Sequence, residues 1–347
     1  MLTLALIAAL FLSAAHLLAR GRNAREIARA AAALDALERP VRLPILMPVC
    51  GRPHYLRQVL AALSRVKGIG QATLVVSQDG ENPEVSALIA GITFAPVIHL
   101  RHTRPCMGLL AFFWDGLHAA STNIHFLLAF AFGPARAEGA IVLEDDIVPS
   151  PDFLAYFEWA FSRVLCDTRV LTVTGFNLHS RPWPEKGFDP GDYPLAMVAN
   201  REGGRDKFTG WSWVITRANW ERIRGAWSFR SWDIGLDALQ RRLALVSYKP
   251  VLARARNIGM QGGINFTEAE GNPKWAGLRI AEAPLAYTAG PILLQEDPAL
   301  PPLQDAGTPG AGTSERVRTR PRRLLLYGVI ALASWLQWRL LMLWGLT

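Results

Sequence analysis

Residues Ala140–Phe161 read AIVLEDDIVPSPDFLAYFEWAF. Four small or apolar residues run into three consecutive carboxylates, Glu144, Asp145 and Asp146, and an amphipathic helix is expected to follow. A buried strand ending on three negative charges needs an explanation. Taking each carboxylate out of water costs several kcal/mol unless a counter-charge is present. On these residues alone two explanations are open. The triplet is a solvated strand end leading into a turn, or it holds a divalent cation. Hard cations such as Mg²⁺ or Mn²⁺ prefer carboxylate oxygens and can hold a diphosphate at the same time.

Outward from the triplet the chain alternates between apolar runs and helical patterns. Pro44–Cys50 is an apolar run, Gly51 turns the chain, and Pro53 suits the first turn of a helix. Leu56, Val59, Leu60, Leu63 and Val66 then recur at helical spacing. A second strand, ATLVVSQDG, ends at Asp79-Gly80, and Pro83 opens a second helix. Beyond the triplet, Ser150 is a candidate helix cap, with Pro151 at the first position and Asp152 favourable to the dipole. Residues 171–177 read as a further strand and residues 178–207 as a long loop. Strands alternating with helices predict a parallel α/β sheet, and its ligands bind beyond the strand C-termini. Arg52, Asp79 and Glu144–Asp146 all lie at such ends.

The remaining composition narrows the function classes. The chain has 347 residues, is 50% hydrophobic and carries a formal charge of +8. That suffices for a large core, and the basic balance suits anionic lipid or phosphorylated substrates. No zinc-finger or RNP spacing points to nucleic acid. Cys50, Cys106 and Cys166 are too scattered for a disulfide framework or a zinc site. Both ends are apolar, with Arg20, Arg22, Arg25 and Arg29 after the first segment and ERVRTRPRR before the last. These features predict an N-terminal membrane anchor (1–20), a helical stalk (21–42), a catalytic domain (43–296), a Pro/Gly/Thr-rich linker (297–323) and a C-terminal membrane-associated helix (324–347). By the positive-inside rule the domain between the two segments lies on the cytoplasmic side. Five of the twelve Trp fall at 211, 213, 220, 227 and 232. They are an aromatic core or a sugar-stacking wall. Residues 259–264 form a Gly-rich turn.

The order PVCGR, VVSQDG, IVLEDDIVPSPDFLAYF, GWSWVIT, SWDIGLD over residues 43–267 resembles the N-acetylglucosaminyltransferase I family. The resemblance implies a GT-A fold, a Rossmann-like mixed sheet flanked by helices. It also implies an inverting glycosyltransferase, a UDP-sugar donor, an Asp base, and Mn²⁺ or Mg²⁺ as cofactor. Asp146 matches the family's metal ligand, and the cation would stabilise charge growing on the departing diphosphate. Glu144 and Asp145 would face the ribose and sugar, Asp79 would accept the uracil N–H, and Arg52 would lie near the nucleotide. Asp233 matches the base that takes the acceptor hydroxyl's proton. Asp237, four residues on, is its local rival. The family's second acid beside that base is Ile234 here. The apolar ends point to membrane lipid as a partner and to a glycan or lipid-linked acceptor. A non-catalytic sugar-binding or scaffold membrane protein with the same fold is the alternative.

Overall fold

The computed structural model describes residues 2–37, 39–105, 115–202, 205–259 and 278–294, together with Leu336 and Arg339. The chain opens with helix α1 (Leu2–Leu34). Then come β1 (Ile45–Val49), α2 (Pro53–Leu63), β2 (Leu74–Asp79), α3 (Pro83–Ala90), β3 (Val97–His102), α4 (Asp115–Phe132) and β4 (Gly139–Leu143). After the acidic triplet follow β5 (Ile147–Pro149), α5 (Phe153–Arg163), β6 (Val170–Thr174) and β7 (Ala196–Ala199). Two short strands, β8 (Arg201–Glu202) and β9 (Arg205–Asp206), make a hairpin. Next are β10 (Ser212–Thr216), α6 (Arg217–Ile223), α7 (Trp232–Arg242), β11 (Val246–Pro250), β12 (Ala255–Asn257) and β13 (Ile292–Leu294).

Nine of these strands form one sheet in the order β13-β7-β11-β6-β10-β4-β1-β2-β3. Strands β4, β1, β2 and β3 run parallel, whereas β10 is antiparallel to both of its neighbours. The sheet is therefore mixed, as expected. Strand alternation sends side chains to two faces. Ile45, Met47, Leu74, Val76, Ile141 and Leu143 meet α2, α3 and α5. Leu46, Val75, Ile98, Ala140 and Val142 meet α4, α6 and α7. With both faces covered, the central strands β1 and β4 are apolar without a break.

Local chemistry fixes the turns that lead away from the site edge. Pro53 stands in the first turn of α2, where its missing N–H is no loss. The Asn82 side chain accepts from Val85 N and caps α3. Gly80 has φ 77°, a left-handed conformation that ends β2 just after Asp79.

Two expectations are corrected. Residues 178–207 are not only loop, because β7 joins the sheet beside β11. Ser150 does not cap a helix: β5 follows the triplet, and α5 starts only at Phe153. Asp152 stands at the N-cap of α5, where an acid favours the dipole, and is fully buried as a partner of Ser150, Arg254 and Tyr287. Residues 21–34 of the helical stalk reading are helical, as a continuation of α1, and they pack along β3.

The expected terminal membrane-associated helices find no support as spans. Among the described residues no helix is long and apolar enough to cross a membrane. The uncharged stretch of α1 runs directly into Arg20, Arg22, Arg25 and Arg29 within the same helix. The linker, the Gly-rich turn beyond Gly259 and, apart from Leu336 and Arg339, the C-terminal segment lie outside the described residues.

Candidate functional site

The parallel order β4-β1-β2-β3 places four strand C-termini side by side. Arg52, Asp79 and the acidic triplet therefore share one sheet edge, joined by His102 and Arg104 from the end of β3. Those last two residues escaped the sequence reading. The signal was the alternating run VIHLRH, a period-2 strand followed by basic residues.

The triplet carries its own counter-charge. Arg52 Nη2 lies 2.5 Å from Asp145 Oδ1, and Arg52 Nη1 lies 2.7 Å from Asp146 Oδ2. A guanidinium fork holds two carboxylates in this way better than a Lys could. Burial alone would lower the Arg52 pKa, but the two Asp charges outweigh it and raise it. Burial pushes Asp145 up to about 6 against the pull of Arg52. Burial first, and then the charge of Asp146, push Glu144 up to about 8. One Oε1 of Glu144 accepts from Trp211 N at 2.9 Å.

Asp146 is the acid with capacity left. Its Oδ1 is buried without a hydrogen-bond partner among the described residues. Strand β12 pairs with β5 immediately after it, and Ile258 N donates to Asp146 O at 2.9 Å. Gly259 then comes so close that a Cβ there would stand 2.2 Å from Asp146 Oδ2. No group of three or more His, Cys, Asp or Glu that could cage a metal occurs among the described residues. One open carboxylate oxygen beside bare backbone fits a hard cation held largely by a substrate diphosphate and water, a common arrangement for Mg²⁺.

Asp79 borders a cleft of about 720 Å³ whose lining includes Asn82, Ser86, Arg101, His102 and Arg104. His102 Nδ1 lies 2.9 Å from Asp79 Oδ1, and Arg104 Nη2 lies 2.7 Å from Oδ2. Burial pushes the Asp79 carboxyl up, but these two hydrogen bonds prevail and hold it below its ordinary value. Beneath it, Gln78 Oε1 accepts from Ser86 Oγ at 3.0 Å and from Arg101 Nη1 at 2.7 Å. The cleft thus has a carboxylate acceptor with cationic donors at its rim. The Cys50 thiol, between the two groups, is raised first by burial and then by the charges of Asp79 and Asp145.

Asp233 stands in the first turn of α7. Its Oδ1 accepts from Ser231 Oγ at 2.5 Å and from Ile234 N at 2.8 Å. Among the described residues no partner is seen for Oδ2. Its rival Asp237 has both oxygens occupied, by Phe208 N at 3.0 Å and by Arg241 Nη1 at 2.5 Å. Asp233 is therefore the acid able to take up a proton without breaking an ion pair.

A chain of contacts links Asp233 to the triplet. The Trp232 ring abuts Gly210, where an added Cβ would meet it at 2.5 Å. The next residue, Trp211, has φ 71°, and Ser212 N donates to Gly210 O at 2.9 Å, closing a left-handed three-residue turn. Such turns are strained for a bulky residue, and strain of this kind collects at working sites. The same Trp211 holds Glu144 through its backbone. The expected sugar-stacking wall is mostly core: Trp213, Trp220, Trp227 and Trp232 are buried between the sheet and its helices. Only Trp211 is partly exposed, edge-on to Phe176 at 4.1 Å between ring centroids.

A family model described as "GNT-I family" matches residues 12–266. An Arabidopsis thaliana alpha-1,3-mannosyl-glycoprotein 2-beta-N-acetylglucosaminyltransferase is 24% identical over 227 residues, covering 64% of this chain and 48% of that protein. A human alpha-1,6-mannosyl-glycoprotein 2-beta-N-acetylglucosaminyltransferase is 36% identical over 61 residues, covering 18% of this chain and 14% of that one. The chain thus spans about half the plant relative's length or less of each. Among solved structures, S. aureus TarS 1–349 in complex with UDP aligns with TM-score 0.39 and 10% identity, over 60% of each chain. The mannosyltransferase PcManGT from Pyrobaculum calidifontis, in complex with GDP-Man and Mn²⁺, aligns with TM-score 0.38 and 14% identity. That alignment covers 70% of this chain and 65% of the other.

Proposed function

Because the chain belongs to the GNT-I family, we propose that it is a metal-dependent, inverting glycosyltransferase on a GT-A fold. It transfers a sugar, N-acetylglucosamine by family, from a UDP-sugar to a hydroxyl of a glycan or lipid-linked acceptor. The observation that carries this reading is the single sheet edge. There Asp79, Arg52 and the triplet meet, with Asp233 joined to them through Trp232, Gly210 and Trp211.

The residues divide the work by chemistry. Asp79, steadied by His102 and Arg104, accepts the uracil N–H. Asp146 would hold a Mn²⁺ or Mg²⁺ ion, which when bound would stabilise charge on the departing diphosphate. Arg52 keeps Asp145 and Asp146 from repelling each other and aims both. Glu144, pushed up to about 8, offers the donor's sugar side a protonated carboxyl near neutrality. Asp233 takes the acceptor proton through its free Oδ2. A carboxylate is a weak base toward an alcohol. It therefore accepts late, once bond formation at the anomeric carbon has acidified the hydroxyl.

Membrane association belongs to this proposal too. On α1 the large residues Ile7, Leu10, Phe11 and Leu18 face outward, while Ala9, Ser13 and His16 are buried. That is the reverse of a helix dissolved in water and suits a lipid surface. The arginines that follow favour the cytoplasmic side.

The test is thermal denaturation of the full chain with UDP or UDP-sugars, with and without Mn²⁺. Ligand at about 100 times its Kd stabilises by about 2.7 kcal/mol. Stabilisation by UDP-N-acetylglucosamine that needs Mn²⁺ and disappears in Asp146→Asn is the expected result. A folded chain that responds to no nucleotide sugar refutes the enzyme reading.

A further inference from the structure

The outer edge of β3 carries no strand partner among the described residues, since β3 ends the sheet order. An uncovered edge would leave backbone N–H and C=O groups open. Helix α1 fills the place of the missing strand with side chains. Asn23 Nδ2 donates to Thr103 O and Asn23 Oδ1 accepts from Thr103 N, both at 2.8 Å. Glu26 Oε1 accepts from Arg101 N at 2.8 Å. Arg29 Nη2 donates to His99 O at 2.9 Å and pairs with Glu26.

The spacing shows how a helix can imitate a strand. Residues 23, 26 and 29 share one helical face, and 99, 101 and 103 share one strand edge. Three helical residues rise about 4.5 Å, whereas two strand residues advance about 6.6 Å. The two rows therefore drift apart along their length. The side chains lengthen to match, from Asn to Glu to Arg. Ala30 is buried in the core and Ile27 and Leu34 pack against it, so the helix is held at this register.

The Asn23 rung lies where β3 runs into the cleft. Thr103, which it grips at both backbone groups, lines that cleft and precedes Arg104, the partner of Asp79. We infer that Asn23 is a positioning residue for the nucleotide: by fixing Thr103 it aims Arg104 at Asp79 and shapes the base-binding end of the cleft. Helix α1 is then a working part of the donor site and not only a tether. This inference rests on the proposed use of the cleft by a nucleoside diphosphate.

The test is a double-mutant cycle on the full chain, with UDP plus Mn²⁺ binding measured by calorimetry and donor KM and kcat measured separately. Asn23→Leu, which leaves both Thr103 groups unpaired, should weaken UDP and raise donor KM about tenfold while kcat stays within twofold. Asn23→Asp, which keeps the acceptor and loses the donor, should give a smaller shift in the same direction. It serves as the readout if the Leu variant does not fold. Arg104→Ala should itself weaken UDP, and in that background Asn23→Leu should add little. If Arg104→Ala weakens UDP while neither Asn23 variant does, α1 merely covers the edge and the inference falls alone. Additive effects in the cycle also overturn it. If Arg104→Ala leaves UDP unchanged, the cleft reading falls and the inference with it.

Discussion

Gly259→Ala probes the acidic centre without touching a charge. A Cβ at Gly259 would stand 2.2 Å from Asp146 Oδ2, 2.9 Å from Asp146 Cγ and 3.2 Å from Asn257 Oδ1. Ordinary Cβ contacts begin at 3.4 Å, so the carboxylate has to move by roughly 1 Å. It cannot do so without disturbing the 2.7 Å bond from Arg52 Nη1. Metal–oxygen distances for Mg²⁺ fall in a narrow range near 2.1 Å, and a misplacement of about 1 Å in a catalytic array costs on the order of 10²-fold. The expected outcome is a drop of about 100-fold in kcat/KM, roughly 2.7 kcal/mol of lost transition-state stabilisation, with a raised Mn²⁺ requirement. The fold should be little affected, because the methyl meets the side chains of Asp146 and Asn257 and no backbone wall. Initial rates against Mn²⁺, with thermal melts of the unliganded chain, measure both sides. Full activity with an unchanged Mn²⁺ requirement would refute the placement of Asp146 as the cation's ligand. A large loss of Tm without ligand would show instead that the β5–β12 pairing had failed.

Other outcomes follow from the same geometry. Asp233→Asn should lower kcat by about 10²- to 10⁴-fold, the usual worth of a general base, with UDP–Mn²⁺ affinity unchanged; equal loss in Asp237→Asn would contradict the choice between them. Asp152→Ala strands Arg254, whose side chain is 0% exposed, and should cost about 3–5 kcal/mol of stability. Replacing both residues with apolar ones should cost less, as urea denaturation can show. His125, packed against Trp220, Trp227 and Phe229, is pushed down to about 4, first by burial and then by Arg20 and Arg224. The unfolded chain takes up this proton near pH 6.5, so stability should fall between about pH 6.5 and pH 4, by at most about 3 kcal/mol. His125→Phe should flatten that part of the urea-midpoint profile, and an unaltered slope would assign it to other groups.

The sequence by itself determined the layout of the site edge. Apolar runs that end abruptly on polar residues mark strand C-termini, because a parallel strand covered on both faces must be apolar throughout and can become polar only where it leaves the sheet. That is why PVCGR, VVSQDG and VLEDD could be assigned to one edge before any strand order was known. The motif string also carried the family. It did not carry the partners of those residues. In sequence the three carboxylates stand without a counter-charge; tertiary packing brings Arg52, 93 positions from Asp145, to fork across two of them, and burial raises the pKa of the third. His102 and Arg104 reach Asp79 only because β3 lies beside β2. The choice between Asp233 and Asp237, level on helical spacing, turns on Phe208 N and Arg241 occupying the latter. The N-terminal helix reads as a stalk because residues 20–40 are rich in Ala and Arg. Only the exposed edge of β3 reveals that Asn23, Glu26 and Arg29 have backbone to satisfy. Periodicity records which face of an element is apolar. Which distant polar groups come together depends on long-range packing, and no local pattern encodes it.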